Sequence, residues 1–290
     1  MKVVLIPVDF SDGSMNSCHY ALHFLVGQSA TLHLYHIYND QIMIPDSSFP
    51  GGMDTDAFFN SDVILAMKEQ AEETMKEFVS ELKKYIKEQQ LEVKVAYSLE
   101  GGDPQWEITE ATEELEPDLV VMGTRGQGKK GFLEGSMAEK IMNKAPVPVL
   151  AVPEDYSDYR LKNIMYPTNF NKLDIYTLKR ILSLTENKKF TLHVCHFSPD
   201  KEDQEINILM EELEQAFDHE LKKGTMKFSI VKSGNKIEAL RTFAEYNSID
   251  MIAFLSEKKH IIKDLFTTHD FHKKDFFNLE LPMLAMHENK

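Results

Sequence analysis

The segment TLHLYHIY, beginning at Thr31, returns as TLHVCHFS, beginning at Thr191, 160 positions later. A second echo keeps the same spacing, with Val3-Val4-Leu5-Ile6-Pro7 answered by Asn163-Ile164-Met165-Tyr166-Pro167. A unit near 150 residues means two copies of a whole domain rather than a solenoid of short repeats. The length of 290 residues agrees with two domains of ordinary size. The seam falls near Pro153 to Arg160, giving expected units of 1–155 and 156–290.

Within the first unit, β-rich apolar runs alternate with helical periodicity. Strands are predicted at Lys2 to Val8, Thr31 to Tyr38, Glu92 to Ser98, Asp118 to Met122 and Val147 to Val152. Helices are predicted at Ser14 to Gly27, Ser61 to Gln90, Pro104 to Leu115 and Ser136 to Lys144. Strict alternation of this kind argues an α/β fold with helices on both faces of a parallel sheet. The second unit repeats the order, with strands at Asn163 to Tyr166, Thr191 to Phe197, Met226 to Val231, Asp250 to Leu255 and Pro282 to Met286. The expectation is two tandem doubly wound domains, each a five-stranded parallel sheet of order 3-2-1-4-5. Asp40 to Asn60, rich in Pro, Gly, Ser and Asp, reads as the one long irregular stretch.

Composition excludes several roles. The longest apolar runs fall far short of the roughly 18 residues a membrane span needs. No secretory leader is read at the start of the chain, and a cytoplasmic location is expected. A net charge of -15 opposes attraction to nucleic acid and to anionic lipid. The two cysteines, Cys18 and Cys195, lie one in each unit without metal-ligand spacing.

The stretch Val120 to Ser136, VVMGTRGQGKKGFLEGS, carries five glycines and three cations to a helix start. Backbone N–H groups approach a phosphate closely only where no Cβ intrudes, and Gly123, Gly126, Gly128, Gly131 and Gly135 supply that freedom. Arg125, Lys129 and Lys130 bring compensating charge, and the helix opening near Ser136 adds unpaired N–H donors. A Walker A match fails because Lys130 stands where Ser or Thr must hold magnesium. A dinucleotide fingerprint at Gly126-x-Gly128-x-x-Gly131 fails because the helix starts later, at Ser136. A structural reading also exists, since Ser136-Met137-Ala138-Glu139 is a capping box. In a sheet of order 3-2-1-4-5 the ends of strands one and four open a crevice, which brings Asp9 toward Gly123. Asp9 could accept from a ribose or an adenine amino group, and Pro7, Val8 and Phe10 could wall the base. Asp9 also fits an ordinary loop before a helix capped by Asp12 or Ser14.

The glycine stretch resembles the phosphate loop of the universal stress protein family, in which Gly, two residues, Gly and nine residues precede Gly-Ser or Gly-Thr. Here Gly123, Gly126 and Gly135-Ser136 take those places, with eight residues rather than nine in the longer gap. The likeness extends to IPVDFSDGS, TLHLYHIY, GGDPQWEI and GSMAEKIMNKAPVPVLAVP, and more faintly to the second unit. It implies a nucleotide site of Pro7, Val8, Asp9, Phe10, Ile37, Met122, Gly123, Arg125, Gly126, Gly135, Ser136 and Met137. The ligand it implies is ATP, with or without magnesium.

The second unit departs from this pattern. Thr168-Asn169 replace Val8-Asp9, Leu255 replaces Gly123, Lys258 replaces Gly126, and His269-Asp270 stand at the Gly-Ser pair. It is expected to have lost phosphate binding and to pack on the first unit as a dimer partner would. His260, His269, His272 and His287, with Asp264, Asp270 and Asp275, show no spacing that specifies a metal site. His33 and His36, like His193 and His196, sit three apart on strands and so point to opposite faces. No nucleophile and base pair stands out, so the expected role is a nucleotide-dependent regulatory module with at most slow hydrolysis. A nicotinamide-dependent or phosphotransfer enzyme and a nonbinding scaffold are the alternatives.

Overall fold

The structure is a computed structural model that describes residues 2–38, 40, 55–124, 136–186, 188–198, 204–256 and 279–288. In the first half, strands β1 (Lys2–Pro7), β2 (Ala30–Tyr38), β3 (Val93–Gly101), β4 (Leu119–Gly123) and β5 (Val149–Val152) alternate with helices. These helices are α1 (Asp12–Phe24), α2 (Thr55–Glu88), α3 (Pro104–Glu114) and α4 (Met137–Lys144). The second half supplies β6 (Asn163–Pro167), β7 (Thr191–Ser198), β8 (Met226–Lys232), β9 (Met251–Ser256) and β10 (Met283–His287). Its helices are α5 (Asp174–Leu184), α6 (Gln204–Ala216), α7 (Asp218–Lys223) and α8 (Lys236–Tyr246).

All ten strands form one sheet, of order β3-β2-β1-β4-β5-β10-β9-β6-β7-β8. Each half therefore has the expected 3-2-1-4-5 order. Each half is the expected five-stranded parallel sheet, and β5 and β10 join the two antiparallel, with Met283 opposite Ala151, Leu284 opposite Leu150 and Ala285 opposite Val149. Every other pairing is parallel. The junction residues are short, apolar and almost fully buried, so pairing two edge strands removes both unpaired backbone rows from solvent.

The period-two alternation of each strand feeds two cores. Val4 and Ile6 face one side with Val121, Leu150, Ile164 and Leu284, under α1, α2 and α5. Leu5 faces the other with Val120, Met122, Met165 and Ala285, under α3, α4 and α8. Both cores draw on both halves. Burial pushes the thiols of Cys18 and Cys195 well above their ordinary range, which fits inert packing residues.

Some boundaries differ from the sequence expectation. Helix α1 starts two residues early, because its N-cap is Ser11, whose hydroxyl accepts from Ser14 N at 3.2 Å, rather than Asp12 or Ser14. Helix α2 begins at Thr55, inside the stretch read as irregular. Residues 41–54 of that stretch lie outside the described residues. No helix among the described residues is long and apolar enough to cross a membrane.

Candidate nucleotide site

Strands β1 and β4 lie side by side, with Val4 opposite Leu119 and Leu5 opposite Val120. Helix α1, which follows β1, packs on the first core, and α4, which follows β4, on the second. The chains thus leave to opposite faces and open a crevice at the carboxyl ends of these strands. Pro7, Val8, Asp9 and Phe10 form one lip, and Met122 and Gly123 the other. Ser136 and Met137 start α4, and Ile37 lies near the end of β2. Arg125, Gly126 and Gly135 lie outside the described residues.

The individual side chains divide into three groups. Val8 and Met122 are buried beside the crevice. Ile37 and Met137 pack against the same core as Met122, on the α4 side of the sheet. Phe10 goes the other way. Its backbone adopts φ of 62°, and its ring lies 4.2 Å from that of His36 and 5.9 Å from that of Phe78. It therefore packs on the α2 side, opposite Ile37 and Met137.

Asp9 is held by a hydroxyl hub. Its Oδ1 accepts from Ser11 N at 3.1 Å, Ser11 Oγ at 2.5 Å and Ser14 Oγ at 2.6 Å, while its own N–H donates to Ser14 Oγ at 3.0 Å. These bonds fix the carboxylate in one orientation at the crevice. Ser136 is the N-cap of α4, its Oγ accepting from Glu139 N at 3.1 Å. His36 donates from Nδ1 to Val8 O at 2.8 Å, which sets its tautomer. Burial lowers its pKa, opposed by the Val8 bond and by the Asp9 charge.

The hub and His36 were missed in the sequence, although one signal was there: Phe10 and His36 recur as Phe170 and His196 at the same 160-residue offset. The second half keeps that scaffold and changes the chemistry. His196 Nδ1 donates to Thr168 O at 2.8 Å, and its ring lies 4.8 Å from that of Phe170, whose φ is 59°. Asn169 stands in the place of Asp9, and the carboxylate has moved into the helix as Asp174. Asp174 is buried and accepts from Tyr166 OH at 2.6 Å, from Thr168 Oγ1 and from Asn171 N at 3.0 Å. Of the residues weighed for metal in this half, His287 is described and donates to a backbone carbonyl; His260, Asp264, His269, Asp270, His272 and Asp275, like Lys258 in the place of Gly126, lie outside the described residues. The described residues contain no group of three metal-capable side chains. A cleft of about 560 Å³ exists elsewhere, at the opposite ends of β1, β4 and β5, where Lys2, Asp118 and Pro148 meet Arg180 of α5.

Comparison with known proteins agrees with this geometry. A universal stress protein of Methanocaldococcus jannaschii is 31% identical over 152 residues, covering 52% of this chain and 81% of that protein. The universal stress protein YxiE of Bacillus subtilis is 25% identical over 150 residues, covering 51% of this chain and 97% of its own. The solved structure of a universal stress protein from Archaeoglobus fulgidus shares the fold over 99% of this chain and 96% of its own, with a TM-score of 0.65 at 20% identity. The model of the universal stress protein family matches residues 1–153, more than half of the sequence, and the chain belongs to that family.

Proposed function

We propose that the first half binds ATP in the crevice between β1 and β4, and that the protein works as a nucleotide-dependent regulatory module of the stress response. The observation that carries this reading is the convergence of three features toward the carboxyl ends of the neighbouring strands β1 and β4. Asp9 lies two residues beyond the first strand, Gly123 ends the fourth, and the first turn of α4 follows a segment bearing three cations and four more glycines. The positive dipole end of that helix favours phosphate. A carboxylate held in one orientation by Ser11 and Ser14 suits a ribose hydroxyl or an adenine amino group. Magnesium would accompany the phosphates of the nucleotide. In the second half Asn169 and Leu255 stand in place of Asp9 and Gly123, which supports a partner role, packed on the first half as one subunit of a dimer packs on another.

A nonbinding scaffold is the second reading, favoured by the engagement of Ser136 Oγ and Asp9 Oδ1 in bonds internal to the protein. Titration calorimetry with ATP separates the two. Under the proposal, ATP binds the full chain and Gly126→Val weakens that binding at least about tenfold, because a branched side chain denies the phosphates their approach. A wild-type protein with no heat of ATP binding makes the scaffold correct.

A further inference from the structure

We infer that the second half controls the nucleotide site through the carbonyl of Met142, a reading that rests on the function proposed above. Helix α4 has eight residues, a length that does not hold itself together in water, so its placement depends on the packing of Ala138, Ile141 and Met142 in the second core and on what grips its ends. Ser136 caps the beginning. At the other end Ile141 O accepts from Ala145 N at 2.8 Å, and the next carbonyl, Met142 O, is taken by the second half. It accepts from Ser256 Oγ, at the end of β9, at 3.0 Å, and from His287 Nε2, at the end of β10, at 2.6 Å.

Both donors are buried, and so is the Met142 side chain. The His287 carbonyl in turn accepts from Arg180 Nη1 at 2.8 Å, which ties α5 to the same point. A helix end whose last carbonyls lack partners frays, and two side-chain donors on one carbonyl are a strong cap. Eight residues span about 12 Å, so what seats one end of α4 orients the other, where Ser136 follows the glycine loop. Any event that shifts the ends of β9 and β10 therefore changes how well α4 presents its first N–H groups. By linkage, nucleotide held at those groups tightens the grip on Met142 by the same factor.

The test compares the full chain with Ser256→Ala/His287→Ala and with His287→Gln, which keeps an N–H donor. Amide hydrogen exchange in the absence of nucleotide is expected to speed up about tenfold at Glu139, Lys140 and Ile141 in the double variant and to leave β1 to β3 unchanged. ATP affinity is expected to fall about tenfold in the same variant, and His287→Gln restores both to within about twofold. Unchanged exchange in α4 overturns the inference, as does faster exchange with unchanged affinity. If wild-type protein binds no ATP, the proposed function fails on its own, and the exchange of α4 still decides whether the second half holds this helix.

Discussion

The imidazole of His36 donates to the carbonyl of Val8 across 2.8 Å, and the same link recurs between His196 and Thr168 at the same length. In each half the histidine pins the turn that follows the first strand, where a phenylalanine is forced into the left-handed region. A bulky residue there is strained, and it persists only because its surroundings over-determine it.

His36→Ala and His196→Ala should each lower the unfolding free energy by about 1–3 kcal/mol, the cost of orphaning a buried carbonyl and losing a ring contact. Urea denaturation with intrinsic fluorescence measures this. A loss under about 0.5 kcal/mol in both variants would mean that the aromatic contacts hold the turns without the hydrogen bond.

Asp9 and Asp174 solve one local problem with opposite polarity. In the first half the carboxylate stands on the loop and the hydroxyl of Ser14 on the helix; in the second the carboxylate is on the helix and the hydroxyl of Thr168 on the strand end. Asp174 is 2% exposed and serves Tyr166, Thr168 and Asn171 together. Asp174→Ala should therefore destabilise the protein by about 3 kcal/mol or more, with three donors orphaned. Asp9→Ala, at the more open crevice, should cost only about 1 kcal/mol of stability and should instead reduce ATP affinity. Thermal melting and calorimetry on the two variants read these effects separately, and equal stability losses would contradict the asymmetry.

Acid should destabilise the fold through its histidines. His19 stacks on Tyr85 at 3.9 Å and His23 on Tyr159 at 4.8 Å, with His23 Nε2 bonded to Tyr85 OH at 2.9 Å. Burial lowers both pKa values. His23 adds to the effect on His19, which Glu81 opposes, and Lys188 adds to the effect on His23. Burial likewise lowers His33, His36 and His193. A base whose folded pKa lies below its unfolded value takes up protons on unfolding, so stability is full above the unfolded value of about 6.5 and is lost as pH falls from there toward the folded values. Urea midpoints should drop between about pH 7 and pH 5, and His19→Gln/His23→Gln should flatten that slope. A midpoint that does not move over this range would refute the assignment.

The strand order of each half was legible because alternation of buried runs with amphipathic helices leaves few topologies, and Thr31 and Thr191 mark the same strand twice. The crevice followed from that order. Two things were not legible. The antiparallel pairing of β5 with β10 joins strands that read as plain apolar runs, and nothing in VLAV or MLAMH specifies an edge partner. The second was the direction of Phe10. Its neighbours in sequence suggest a wall for a base, and only the positive φ, which Phe170 shares in the second half, turns its ring toward His36. Long-range donors such as Ser256 and His287 carry no local signal, because the carbonyl they serve is more than 100 residues away.

Thr124 and Ser256 each follow or close a corresponding strand, β4 and β9, yet their hydroxyls fare differently. Ser256 Oγ reaches Met142 O, whereas Thr124 Oγ1, in a residue 1% exposed, has no hydrogen-bond partner among the described residues. A buried hydroxyl without a partner costs about 1–3 kcal/mol of desolvation, and replacing it with a methyl of similar shape removes that cost. Thr124→Val should therefore leave stability unchanged or raise it by up to about 1 kcal/mol, while Ser256→Ala lowers it by about 1 kcal/mol. The Thr124 backbone keeps its bond from N to Val152 O at 3.0 Å in either case, so β4 and β5 stay paired. Paired urea titrations of the two variants check the opposite signs. A Thr124→Val protein destabilised by more than about 1 kcal/mol would show that this hydroxyl holds an acceptor in solution after all.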